Sequence, residues 1–196
     1  ACNDPLEVVY DDAEFARAVS FEGQGVWRYQ PLLPFPRAVT LGEGATGLHS
    51  CERAGRELGI SRLFVKNEGE NPTGSFKDRG MTVGITVAKK LKMNSVACAS
   101  TGNTSASMAS YAAAAGMKAY VFIPEGKVAF GKLSQALAYG ATTIQIAGDF
   151  GLEASWRFRL FVQDLMHQAP RTSLERPLSG EHFVQNTSQR VDIGRR

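Results

Sequence analysis

The chain has 196 residues, a hydrophobic fraction of 43%, a charged fraction of 21% and a formal net charge of +3. The length allows one to one and a half ordinary domains with a real core, and the composition is that of a soluble chain. The charge balance is too small to argue for nucleic acid or an anionic membrane surface, and no apolar run approaches the roughly 20 residues that span a bilayer.

Taken in chain order, "EVVY" (7–10) reads as a short strand and residues 12–19 as a short helix. The proline-rich, aromatic stretch 27–36 reads as an ordered connector, and "LGEGATGL" (41–48) as a glycine-rich loop. Residues 51–59 form a short helix closed by Gly59. A regular alternation follows. Strands are predicted at 62–68, 95–100, 118–125 and 142–148, and helices at 75–92, 104–116 and 128–140. In the first of these helices Met81, Ile85 and Ala88 recur at helical spacing, with Ser75 as N-cap and Asp78 in the first turn. Near-continuous apolar strands alternating with helices predict an α/β fold, a three-layer open parallel sheet with helices on both faces. Residues 152–168 carry a rough amphipathic stripe, but the text after Pro170 has no clear period. Residues 1–150 hold eight lysines and seven arginines, whereas 151–196 hold seven arginines and no lysine. The division predicted is an enzyme domain over 1–150, then an amphipathic helix and a divergent, loose tail over 151–196.

In such sheets ligands bind at the carboxyl ends of the strands, which selects the loops 68–76, 100–104 and 124–128. The first leads into Lys77, just inside a helix start. A helix start carries partial positive charge, so a structural cation is poorly placed there. That field, with partial burial, disfavours the ammonium and favours the neutral amine that an imine-forming lysine needs. The plainer alternative, ahead on position alone, is a solvated lysine offset by Asp78. The second loop, "STGNTSAS" (100–107), sets Ser100, Thr101, Asn103, Thr104 and Ser105 around Gly102 at a helix start. Backbone N–H groups and hydroxyls there make a cradle for a phosphate or carboxylate, beyond what one cap requires. In the third loop Lys127 could reach an anionic substrate or be an ordinary surface lysine. The glycines of 41–48 match neither a dinucleotide loop nor a Walker loop. His49, His167 and His182 have no metal-ligand spacing, and the three cysteines (Cys2, Cys51, Cys98) form no CxxC pair, so no metal is expected and a reducing cytosol fits.

"VKNEGENPTGSFKDRG" (65–80) and "ASTGNTSASMASYAAAAG" (99–116) resemble the threonine synthases, pyridoxal 5'-phosphate enzymes of the tryptophan-synthase-β-like fold, or fold-type II. The likeness runs through roughly residues 3–150, taking in 5–11, 25–34, 41–48 and 121–141. It implies an incomplete fold of that type. Lys77 would carry the cofactor as an imine and move protons on the substrate. Asn103 would hydrogen-bond the cofactor's phenolic oxygen, and Phe76 would pack near its ring. Ser100, Thr101 and Thr104, with Asn103, would hold the substrate carboxylate, and Lys127 would help receive its phosphate. The implied activity is a lyase of threonine biosynthesis that converts O-phospho-L-homoserine and water to L-threonine and phosphate. A cytoplasmic location follows, with a small phosphorylated amino acid as partner; the resemblance allows a homodimer. The alternatives are a threonine or serine dehydratase of the same fold, and a catalytically silent anion-binding remnant.

Three departures bear on activity. The chain lacks a second half with the glycine/asparagine-rich loop expected to hold the cofactor phosphate. It has "RTSLERPLSGEHF" where a segment of the form S-x-N-P-F-R is expected, and its tail is free of lysine. A reading-frame change after residue 150 would explain all three. The chain alone is therefore expected to bind the cofactor weakly and to turn over slowly or not at all.

Overall fold

The structure is a computed structural model that describes residues 13, 21–33, 35–124, 130–147 and 189–192, with the side chains of 130, 146, 147 and 189–192 excepted. The predicted strand at 7–10, nearly all of the predicted helix at 12–19 and the helix predicted at 152–168 lie outside the described residues.

Two sheets are present. Strands β1 (Leu48–Ser50) and β2 (Phe64–Lys66) pair antiparallel on either side of helix α1 (Glu52–Leu58). Strands β3 (Ser95–Ala99), β4 (Lys118–Pro124), β5 (Thr142–Ala147) and β6 (Gln189–Asp192) form a parallel sheet in that order. Helices α2 (Lys77–Lys90), α3 (Asn103–Ala115) and α4 (Phe130–Ala138) connect them. Helices α1 and α3 close as predicted, on Gly59 at φ 70° and Gly116 at φ 72°, the left-handed residues that glycine tolerates.

Two features differ from the sequence reading. The strand at 64–66 was expected to open the parallel sheet, but it pairs with 48–50 instead. Its three residues are exposed, so it lacks the two-sided burial that marks a parallel-sheet strand. In the lysine-free tail, where no strand was predicted, the backbone of 189–192 pairs parallel with β5.

Strand β4 anchors the core. Val121 and Ile123 face a cluster that includes Ala109 and Ala112 of α3, and successive side chains alternate faces, so Phe122 points the other way. Phe122 is also buried, at 1% exposure, which means that both faces of β4 are covered. In α3 every residue from Ser105 to Ala112 is buried. Over that stretch the helix is enclosed all round, packed against α2, α4, β3 and β4, and its run of alanines and serines lets those neighbours approach closely.

Around this apolar core lies a polar interior that hydrophobic periodicity does not report. Glu43, 2% exposed, accepts hydrogen bonds from Trp27 Nε1 (3.0 Å), Leu41 N (3.0 Å) and Tyr111 Oη (2.7 Å). Trp27 Nε1 also donates to Thr82 Oγ1 (2.9 Å), which in turn donates to Val39 O (2.8 Å). The glycine-rich loop thus serves as a buried anchor. A Cβ on Gly44 would come within 2.9 Å of Gly25 Cα, so the backbones at 25 and 44 can touch only as glycines.

Burial pushes the Glu43 carboxyl upward, but the Leu41 N–H and Tyr111 hydroxyl outweigh it and hold the group below its usual range. Burial, and then the facing Glu43 carboxylate, drive the Tyr111 phenol far above its usual range. A depressed carboxyl adds stability above its unfolded pKa, near 4.5, and loses it as pH falls through the lower folded value. Tyr111→Phe is therefore expected to cost about 1–3 kcal/mol in urea unfolding at pH 7. The gap from wild type should narrow below pH 4.5, as Glu43 becomes protonated.

Candidate functional site

The turn that leads into α2 is built from its own polar groups. Gly74 N donates to Asn71 O (2.8 Å), and Gly74 sits at φ 76°, a left-handed position that would strain any other residue. Ser75 Oγ accepts the N–H of Lys77 at 3.2 Å, but the cap position falls on Phe76, one residue later than predicted, and carries no side-chain cap bond. Asn71 ties the turn backwards, accepting from Gly44 N (2.9 Å) and donating to Glu68 Oε2 (3.0 Å). Arg79 grips Glu68 with a two-pronged fork at 2.6 and 2.7 Å. That fork holds the Glu68 carboxyl down at about 2.

Asp78 is the centre of the arrangement. It is fully buried, and its carboxylate accepts from Thr73 N (2.7 Å), Thr73 Oγ1 (2.6 Å) and Ser107 Oγ (2.6 Å). On the other side of Thr73, its carbonyl accepts from Lys132 Nζ (3.0 Å) and Gln135 Nε2 (3.4 Å) of α4. Helices α2 and α4 therefore meet at Thr73, and α3 joins them through Asp78. Asp78 lies in the first turn of α2, and Ser107 lies four residues after Asn103 on the same face of α3. Their hydrogen bond sets the starts of these helices side by side, with Lys77 the first residue of one and Asn103 the first of the other.

Lys77 stands at the helix start as predicted, but it is exposed rather than partly buried, because Asp78, next in sequence, occupies the inward position. Its Nζ lies 5.0 Å from the centroid of the Phe76 ring, itself 55% exposed. Asp78 forms no described ion pair with Lys77; its oxygens accept from Thr73 and Ser107 instead. Among the described residues no ion pair or side-chain hydrogen bond engages Lys77 Nζ.

The loop after β3 is held to the sheet by Ser100 N, which donates to Phe122 O (3.2 Å). Of its polar groups, Ser100 Oγ accepts from Gly102 N (3.2 Å) and Ser105 Oγ donates to Gly102 O (2.7 Å). Thr101, Asn103 and Thr104 are half-buried, and no described hydrogen bond engages their side chains. The first N–H groups of α3 have no intrahelical acceptor, and no side chain caps them. Lys127 lies outside the described residues. His49 is exposed and pairs with Glu70 at 3.0 Å, and no metal-ligating cluster occurs among the described residues.

Sequence reasoning missed Glu43, Asp78 as a buried clamp, and Lys132. The signal for Asp78 was present: Asp78, Thr82 and Thr86 recur at four-residue spacing, and all three are buried.

Residues 39–171 match the family model described as pyridoxal-phosphate dependent enzyme. The chain is 54% identical over 157 residues to the threonine synthase of Methanocaldococcus jannaschii, covering 76% of this chain and 39% of that one. It is 52% identical over 153 residues to that of Methanosarcina acetivorans, covering 76% and 38%. It thus spans about two fifths of the length of these curated relatives. Among solved structures, maize serine racemase matches with a TM-score of 0.52 and 25% identity, over 69% of this chain and 39% of that chain. Diaminopropionate ammonia lyase from Escherichia coli, solved with an aminoacrylate-PLP azomethine intermediate, matches at 0.53 and 20%, over 65% and 36%. These likenesses establish the fold-type II architecture.

Removing the Asp78 carboxylate leaves three buried donors without an acceptor. Asp78→Ala is expected to cost about 3 kcal/mol or more in chemical denaturation. Asp78→Asn should cost less than half of that, because the hydroxyls of Thr73 and Ser107 can turn to accept from the new amide.

Proposed function

The chain belongs to the family of pyridoxal-phosphate-dependent enzymes, and from that premise we propose that residues 1–150 are the N-terminal portion of a threonine-synthase-like lyase acting on O-phospho-L-homoserine. The divergent segment falls within residues 151–196, beyond the family match that ends at residue 171. The observation that carries the reading is Lys77: an amine at a helix start, free of any described ion pair, beside a second helix start whose Asn103, Thr101 and Thr104 have no described side-chain hydrogen bond.

The donor set fits the cofactor. An amine suits the aldehyde carbon, an amide suits the phenolic oxygen, and hydroxyls with free helix N–H groups suit a carboxylate. Lys77 would hold the cofactor through Nζ and carry protons to and from the substrate carbons at that atom. Asn103 would orient the ring through its phenolic oxygen, and Phe76, one residue from the lysine, would line one edge. Ser100, Thr101 and Thr104, with Asn103, would fix the substrate carboxylate, which sets the angle of the bond to be broken. When bound, the cofactor supplies the electron sink for a β,γ-elimination followed by addition of water. Asp78 touches none of the reacting atoms; it positions Lys77 against the α3 start. The reading brings with it a cytoplasmic location and a phosphorylated amino acid as substrate, and it allows a homodimer.

The test is selective trapping. The chain is incubated with millimolar pyridoxal phosphate and reduced with borohydride, and the label is mapped by peptide mass spectrometry. Lys77 is expected to take at least about ten times the label of any other lysine, and Lys77→Ala to lose that selectivity. Even labelling of all eight lysines would contradict the proposal.

A further inference from the structure

The four α-helices among the described residues close in the same way. In each, one residue turns left-handed, its N–H bonds the carbonyl three residues back, and the next N–H bonds the carbonyl five residues back. Helices α1, α3 and α4 put Gly59, Gly116 and Gly140 at the left-handed point. Helix α2 puts Lys92 there, at φ 59°, with Lys92 N on Lys89 O and Met93 N on Ala88 O, both at 3.0 Å. A side chain disfavours that conformation, which glycine adopts freely. The residues around Lys92 differ from the other helix ends in a second way. Leu91 and Met93 are 57% and 49% exposed, whereas Met117, in the position after Gly116 that matches Met93, is 9% exposed. Lys89, Lys90 and Lys92 are exposed among them, and none of the described ion pairs includes any of the three. The negative end of the helix accounts for lysines in its last turn. It accounts neither for a lysine in the left-handed position nor for two uncovered apolar side chains. The patch lies at the opposite end of α2 from Lys77, roughly 20 Å along the helix axis.

We propose that this turn, Lys89 to Met93, is a docking surface for an acidic segment of another protein that carries apolar side chains between its carboxylates. Charge complementarity sets the sign of the partner, since lysines with no described ion pair are matched by carboxylates. Leu91 and Met93 set its class. A nucleic-acid backbone would meet the lysines but leave both apolar side chains in water. A membrane needs more than one turn offers, because stable anchoring takes a longer apolar face or an acyl chain. A protein segment uses both features, with the apolar pair at the centre of the contact and the lysines at its rim. Rim charges of this kind speed association and make it salt-dependent. The surface is separate from Lys77, so the proposal is independent of the reading of that residue.

The experiment uses the intact chain and a fluorescein-labelled peptide built of glutamate and leucine, with a glutamate–serine peptide as control. Fluorescence anisotropy at low salt is expected to show saturable binding of the first peptide, at least about threefold tighter than the second. Lys89→Glu with Lys92→Glu should weaken it at least about tenfold, and Leu91→Ser with Met93→Ser should remove the preference for leucine. All four side chains are exposed, so these variants should fold. Lys92→Gly is a further control: it should raise the urea midpoint while weakening the peptide at least about twofold. Absence of saturable binding at millimolar peptide overturns the proposal, and so does binding that none of these variants changes. Phosphatidylserine vesicles that sediment the chain through the same lysines, more tightly than the peptide binds, overturn it in favour of a membrane surface. Carbodiimide crosslinks from these lysines to Asp11, Asp12 or Glu14 of the same chain, formed without peptide, overturn it in favour of the chain's own N-terminal segment.

Discussion

A carboxylate shut away from water must draw its hydrogen bonds from the chain, and where it draws them fixes what it can hold. Asp78 takes one from a backbone N–H and two from hydroxyls, on Thr73 and on Ser107. Thr73 belongs to the turn before α2 and Ser107 to the second turn of α3. A single buried charge therefore joins the helix that begins with Lys77 to the helix that begins with Asn103. The position is also electrostatically sound, since a carboxylate in the first turn of α2 faces that helix's positive end. The opposite side of Thr73 is held by Lys132 and Gln135, so the turn is gripped from α2 and α4, while α3 is tied in through Asp78.

Glu43 has a comparable role in the glycine-rich loop. It gathers Trp27, Leu41 and Tyr111, and the neighbouring Gly44 N passes the connection to Asn71 at the head of the lysine turn. The polar interior is thus continuous from α3, through the glycine-rich loop, to the turn. The apolar core around β4 supplies the platform, while the buried carboxylates set where the loops sit on it. Such networks stabilise only when every member is satisfied. Among the described residues just one buried side-chain atom, Thr143 Oγ1, lacks a partner.

Much of the fold was legible because strands β3 and β4 are largely apolar and helices α3 and α4 are followed by glycines, Gly116 and Gly140. The partner of strand 64–66 was not legible. Three exposed residues carry no signal that distinguishes antiparallel pairing with 48–50 from a place in the parallel sheet. Strand β6 was invisible for a related reason: its text, "QRVD", has no apolar run, and backbone pairing with β5 alone defines it. At the site, Lys77 and the 100–104 loop were found from residue type and position. Asp78 was placed in the first turn, with an offset of the Lys77 charge as the plainer alternative, because a charged residue there is usually solvated. Its spacing with Thr82 and Thr86 marks an inward face, but its partner Ser107, 29 residues away, is a tertiary fact.

The central claim is that one carboxylate couples the lysine turn to the asparagine helix. The most direct measurement is a double-mutant cycle in urea unfolding, combining Thr73→Val with Ser107→Ala. Each removes one hydroxyl from Asp78 Oδ1, and the two residues have no hydrogen bond to each other. If both act through the shared carboxylate, the double variant should depart from the sum of the singles by about 1 kcal/mol or more. Strict additivity would mean that the turn and the helix are held independently, and would contradict the claim.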